Sequence, residues 1–137
     1  MGSAYNNFAL LVGRIFLSVI FLSAGWHKLG DFSGTTGFMA TRAAFESMGS
    51  MIPLLAGLAI FAELGGGLSL LLGWMTRLGA IGLVLFMIPT TLIFHDFWIR
   101  PDQTIMFFKN VAVIGALLIL STSGPGAISV DGRKKAS

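Results

Sequence analysis

The sequence predicts an all-α membrane protein: a four-transmembrane-helix bundle with a short amphipathic interfacial helix between helices 1 and 2. Three observations carry this. Apolar stretches recur at about residues 8–27, 52–73, 78–95 and 105–122, each long enough at 1.5 Å per residue to approach the ~30 Å of a bilayer's hydrocarbon core. Charged residues are 11% of the 137, against about 25% in soluble domains, too few to cover a water-facing surface. Glycine, proline and short polar residues gather between the apolar stretches, where turns belong.

The length fits a single domain over residues 1–137. Net charge is +3 and comes partly from the C-terminal tail; no basic stripe interleaved with aromatics is present, so no nucleic-acid partner is expected. Cysteine is absent. That excludes thiol–disulfide chemistry and any thiolate metal or iron–sulfur site built by this chain alone, and no metal site is expected.

The first stretch reads as a retained span rather than a cleaved signal peptide, because Met1 to Asn7 carries no basic residue and Arg14 lies inside the apolar run. Arg14, Ser18, Phe21, Gly25 and Lys28 recur at helical spacing and form a small, polar stripe. After it, GDFSGTTG reads as a turn, and the following text places the amphipathic helix around Phe38, Phe45 and Met48, with Arg42 and Glu46 as an i,i+4 pair.

The second span, Ile52 to Gly73, starts with Pro53 in its first turn and holds one charge, Glu63, at mid-depth. A carboxyl there is costly unless neutral, paired or turned to a polar interior. Ala56, Ala59, Gly66 and Gly67 share its face, and small residues let membrane helices approach closely, so Glu63 is expected to point into the bundle. Trp74 to Arg77 makes a tight turn. The third span carries Pro89, which frees the carbonyl of Leu85 and leaves Thr90 or Thr91 to compensate. Lys109 and Asn110 open the fourth span, and Gly124-Pro125-Gly126 ends it before a basic tail, 123–137, with Arg133, Lys134 and Lys135.

Four spans put both termini on one side. Arg77, Arg133, Lys134 and Lys135 then share the side of the termini, against Lys28, Arg42 and Arg100 on the other, which favours cytoplasmic termini. The tail cations are expected to fix orientation and to touch anionic lipid.

Counting depth from the span edges puts Arg14 about 9 Å and Glu63 about 14 Å from the inner edge, so an Arg14–Glu63 pair is expected. It reads either as a structural ion pair locking two helices or as a proton-handling carboxyl and its partner. On the outer half, His27, Lys28, His95, Lys109 and Asn110 converge, with Trp98 among surrounding aromatics. They read either as the rim of a ligand pocket or as interfacial side chains: histidines at the boundary, a snorkelling Lys109 that Asp102 can pair with, and an aromatic belt. A bis-histidine haem between His27 and His95 is the least favoured reading. A flat ring with two carbonyls, a quinone, suits aromatic walls with hydrogen-bond donors.

In order and spacing, Arg14 with Gly25, Lys28 and Leu29, Glu63 with Gly66, Gly67, Leu72-Gly73 and Thr76-Arg77, His95 with Phe97-Trp98, Lys109-Asn110 with Gly115, Leu117 and Leu118, and Gly124-Pro125-Gly126 with Ser129 and Asp131 resemble the DoxX family of small four-helix membrane proteins, itself similar to the DoxD and SURF4-like group. The resemblance implies a bacterial inner-membrane protein tied to oxidoreduction. DoxX-like proteins are described as membrane oxidoreductase components, DoxD-like relatives are linked to thiosulfate:quinone oxidoreduction, and others act as cargo receptors or assembly factors.

The functional expectation is a quinone-interacting subunit of a membrane oxidoreductase system. The alternatives are a non-catalytic accessory subunit of a larger complex and a proton path through Glu63. No cofactor is held by a recognisable motif; quinone is the candidate ligand. Other membrane subunits or a homo-oligomer are the expected partners besides the bilayer.

Overall fold

The computed structural model describes residues 2–136, the side chains of Lys135 and Ala136 excepted. Its regular secondary structure is all helical, with no strand among the described residues. Helix α1 spans Gly2–Gly30, α2 Phe32–Ala40, α3 Ile52–Leu72, α4 Thr76–Phe94, α5 Thr104–Ser123 and α6 Val130–Ala136. Single 3-10 turns at Ala43–Phe45, Gly49–Met51 and Pro101–Gln103 fill the connections. Helices α1, α3, α4 and α5 are long and apolar enough to cross a membrane, and the chain is an integral membrane protein.

Small residues set the packing. Gly25 of α1 lies so close to α3 that an added Cβ would sit 2.8 Å from Leu64 and 3.1 Å from the Glu63 Cβ. Gly67 gives the same close approach to Leu22, and Gly66 brings Leu83 of α4 in from the other side. The small-residue face expected around Glu63 is thus the seam where α3 meets both neighbours. Phe21, Leu70, Ala80, Leu83, Leu117 and Leu120 from all four spans form the buried core. The opposite faces stay apolar and exposed, as with Phe16 at 73%, Phe61 at 76% and Ile105 at 81%; in hydrocarbon such surface is at home.

Helix starts and stops follow the local chemistry. Pro53 sits in the first turn of α3, and Gly73 ends it in the left-handed region at φ 67°, a conformation glycine adopts without a Cβ penalty. Within α4, the Thr90 hydroxyl donates to the Phe86 carbonyl one turn back at 2.8 Å. The Thr91 hydroxyl instead accepts from the Asn110 side-chain amide of α5 at 3.1 Å, a buried polar tie between spans.

The segment between α1 and α3 differs from its sequence reading. The short helix exists but lies earlier, because the Asp31 carboxylate accepts from the Gly34 N–H at 3.0 Å and caps a helix through the glycines read as a turn. The Arg42–Glu46 pair is not formed. Arg42 lies over the Phe38 ring, 4.5 Å from its centroid, where a ring face binds the cation. The tail is no loose end either: residues 124–134 fold back against the bundle, while the Lys135 side chain lies outside the described residues.

Candidate functional site: a cavity and ion pair at the loop end

The end of the bundle away from the termini holds a cavity of about 670 Å³. Leu55, Leu58, Ala59 and Ala62 of α3 and Phe86, Pro89, Thr90 and Ile93 of α4 form its walls. Helix α2 and the turn after it cover it with Phe38, Met39 and Phe45. Phe94 stacks between Phe38 and Phe45, with ring centroids 5.6 Å and 5.8 Å apart. Ala59 and Ala62 are short enough to leave this space. Leu58 is 55% exposed on the outer face of α3, so the cavity opens sideways along a lipid-facing helix.

Lys28 and His95 are the polar groups of this cavity that the sequence had singled out. Lys28 Nζ lies 2.8 Å from both Glu63 oxygens, donating to each. Glu63 is buried, its side chain 7% exposed, while that of Lys28 is 30% exposed. The acid therefore does point into the protein, and its partner is Lys28, not Arg14. The reason is register. Helices α1 and α3 run antiparallel with Gly25 opposite Glu63 and Leu22 opposite Gly67. Lys28, one turn beyond Gly25, folds its stem down to Glu63. Arg14 lies eleven residues before Gly25, about 16 Å away along the axis. Arg14 as a whole is 1% exposed, and its guanidinium donates instead to the Leu70 carbonyl at 3.0 Å and the Ile128 carbonyl at 2.5 Å.

The remaining predicted residues do not converge. His27 is exposed on α1. Lys109 is exposed and reaches the Met106 sulfur at 3.7 Å; Asp102 accepts from Gln103 rather than from Lys109. Asn110 is buried but committed to Thr91. Trp98, 56% exposed, joins Phe97 and Phe107 in an edge-to-face cluster. His95 Nδ1 is 2.8 Å from the Gln103 amide oxygen. Among the described residues no cluster of three or more His, Asp or Glu is placed to hold a metal.

Sequence reasoning missed the tail. Asp131 accepts from the backbone N–H groups of Met75 and Thr76, each at 3.1 Å, and from the Thr76 hydroxyl. Met75, at φ 50°, offers no side-chain cap of its own, so the N-terminus of α4 is capped from fifty-odd residues away. Partial burial pushes the Asp131 carboxyl up, but these hydrogen bonds outweigh it and hold the group below the ordinary aspartate value. The available signal was that Asp131 is the one acid on the termini side of the four-span topology.

Two family models match the chain: DoxX over residues 9–96 and the SURF4 family over residues 58–137. The chain belongs to the DoxX family. It is 37% identical over 126 residues to the inner membrane protein YqjF of Escherichia coli (strain K12), covering 92% of each. It is 36% identical to the inner membrane protein YphA of the same organism, covering 90% of this chain and 89% of the relative. The Surfeit locus protein 4 homolog of Drosophila melanogaster is 26% identical over 95% of this chain, which spans 42% of that longer relative. No solved structure matches the chain.

Proposed function

We propose that this DoxX-family protein is a quinone-interacting subunit of a membrane oxidoreductase system in a bacterial inner membrane, the membrane named for its Escherichia coli relatives. The observation that carries the reading is the aromatic-walled cavity with the half-buried Lys28–Glu63 pair beside it. An apolar ring slides between Phe86 and the Phe38–Phe94–Phe45 stack; an ammonium with three protons, two engaged by Glu63, keeps donor capacity for a ligand oxygen. Lys28 takes the pairing role that the sequence reading assigned to Arg14. Glu63 exchanges the protons that accompany two-electron reduction of a quinone to a quinol, and His95 holds the second oxygen. The electrons come from the redox centre of a partner subunit, since a chain without cysteine builds no thiolate cluster.

The test is direct. The purified protein is titrated with a short-tailed quinone and binding is followed by tryptophan fluorescence or calorimetry. Saturable binding is expected, abolished by Ala59→Phe and weakened about tenfold by Glu63→Gln. No co-purified quinone and no affinity for added quinone would sink the proposal. A second reading, a non-catalytic accessory subunit, has its own support in the exposed aromatic cluster of Phe97, Trp98, Phe107 and Phe108, a surface suited to a neighbouring subunit. It expects a stable larger complex on native gels, disrupted by Trp98→Ala, with quinone binding absent.

A further inference from the structure

The other end of the bundle carries a second cavity, of about 640 Å³, walled in part by Thr76, Arg77, Leu78, Gly124, Pro125 and Lys134. Arg77 is fixed there: its Nη1 donates to the Ser121 and Thr122 carbonyls at 3.0 and 2.6 Å, capping the C-terminus of α5. The other edge of its guanidinium, Nε and Nη2, lies beside Gly124. A Cβ on Gly124 would sit 3.1 Å from Nη2 and 3.4 Å from Nε, and its φ of 78° also favours glycine. That edge is the planar fork that binds two oxygens of a phosphate or carboxylate at once. Asp131, the acid in this wall, has its oxygens occupied by the first turn of α4 and also attracts Lys134, so with Arg77 the lining keeps a net positive charge. From the lip of the cavity an apolar track runs along the outer face of α4, through Leu78, Ile81 and Leu85, which are 63%, 45% and 65% exposed.

A cationic socket at the level where a span leaves hydrocarbon, continuous with a lipid-facing groove, fits a molecule with a phosphate head and an acyl tail. We propose that this cavity binds the phosphodiester headgroup of an anionic phospholipid, gripped through the Nε/Nη2 edge of Arg77 with Lys134 adding a second positive charge, while one acyl chain lies along Leu78 and Leu85. A free phosphate would share the Arg77 contact but gain nothing from the apolar track, so the lipid is the expected occupant. The site is separate from the loop-end cavity and independent of any quinone binding there.

The experiment is native mass spectrometry of the purified full chain, offered equimolar phosphatidylglycerol and phosphatidylcholine. One bound phosphatidylglycerol is expected, preferred about tenfold, on the scale of one to two lysine or arginine contacts at an anionic surface. Lys134→Glu is expected to lower the preference at least threefold. Arg77→Lys, which keeps the charge but loses the fork, is expected to lower it similarly. Lys109→Gln, at the opposite end, is expected to leave it unchanged. Because Arg77 also caps α5, circular dichroism of Arg77→Lys accompanies the binding data, and Lys134→Glu decides the matter if that variant misfolds. Equal uptake of the two lipids overturns the proposal, as does a preference that survives Lys134→Glu. Full displacement of the lipid by millimolar glycerol phosphate overturns the lipid assignment in favour of a free phosphate ligand.

Discussion

The two ends of the bundle solve opposite problems. At the end of the termini, hydrogen bonds clasp the elements together around the second cavity. Asn7 accepts from the Ala127 N–H, Arg14 joins α1 to the end of α3 and to Ile128, Asp131 caps α4, and Arg77 caps α5. The tail thus ties all four spans together. At the loop end aromatic stacking, the Asn110–Thr91 and His95–Gln103 hydrogen bonds and the Lys28–Glu63 and Asp96–Arg100 ion pairs join the elements, and they leave a cavity open toward the lipid face of α3. Arg14 and Lys28 differ in the same way: both are α1 cations, but one is buried and spent on backbone carbonyls, while the other is part-exposed and held by the Glu63 carboxylate.

The sharpest way to break this contrast is at the ion pair. Lys28→Met leaves Glu63 buried without its partner and is expected to cost about 3–5 kcal/mol in denaturant unfolding in detergent. Adding Glu63→Gln should restore most of that loss, and a double variant as unstable as Lys28→Met alone would contradict the pairing. Next comes Arg14→Leu, which strips charged hydrogen bonds from Leu70 and Ile128; about 3 kcal/mol is expected, with protease cleavage appearing in residues 124–134. Asp131→Ala should cost about 1 kcal/mol through the lost cap. Because the folded Asp131 value is lowered, its contribution is fully present above the unfolded value of about 3.9 and is lost as pH falls through the lower folded value. Tail protection from proteolysis should therefore decline in that acid range, and Asp131→Asn should remove that dependence. The smallest change in stability is expected for Ala59→Phe, within about 1 kcal/mol, although it should abolish ligand uptake at the loop end.

Much of this was legible beforehand. Composition and apolar run length specify four spanning helices, and the small residues around Glu63 specify which face turns inward. The family was readable from scattered residues in the right order. The partner of Glu63 was not, because depth counted from the ends of apolar runs assumes that α1 and α3 start level. Helix α1 begins at Gly2 and continues to Gly30, and the contact of Gly25 with Leu64 sets the register. About four helical turns separate Arg14 from Lys28 along α1. The site residues of α5 failed for a rotational reason: Lys109 and Asn110 are neighbours in sequence, so a helix turns only one of them inward, and that one is Asn110.

By itself, then, the sequence determined the solvent of this protein, the number of its spans and the inward direction of its central acid. These follow from properties summed over many residues or repeated along one helix. The tertiary structure alone decided which cation meets that acid, where the loop-end cavity opens and that the tail folds back to clasp the far end. Each of those depends on the axial offset and rotation of one helix against another, set by a few glycine contacts between residues distant in the chain, and a slip of a single turn would have chosen different partners.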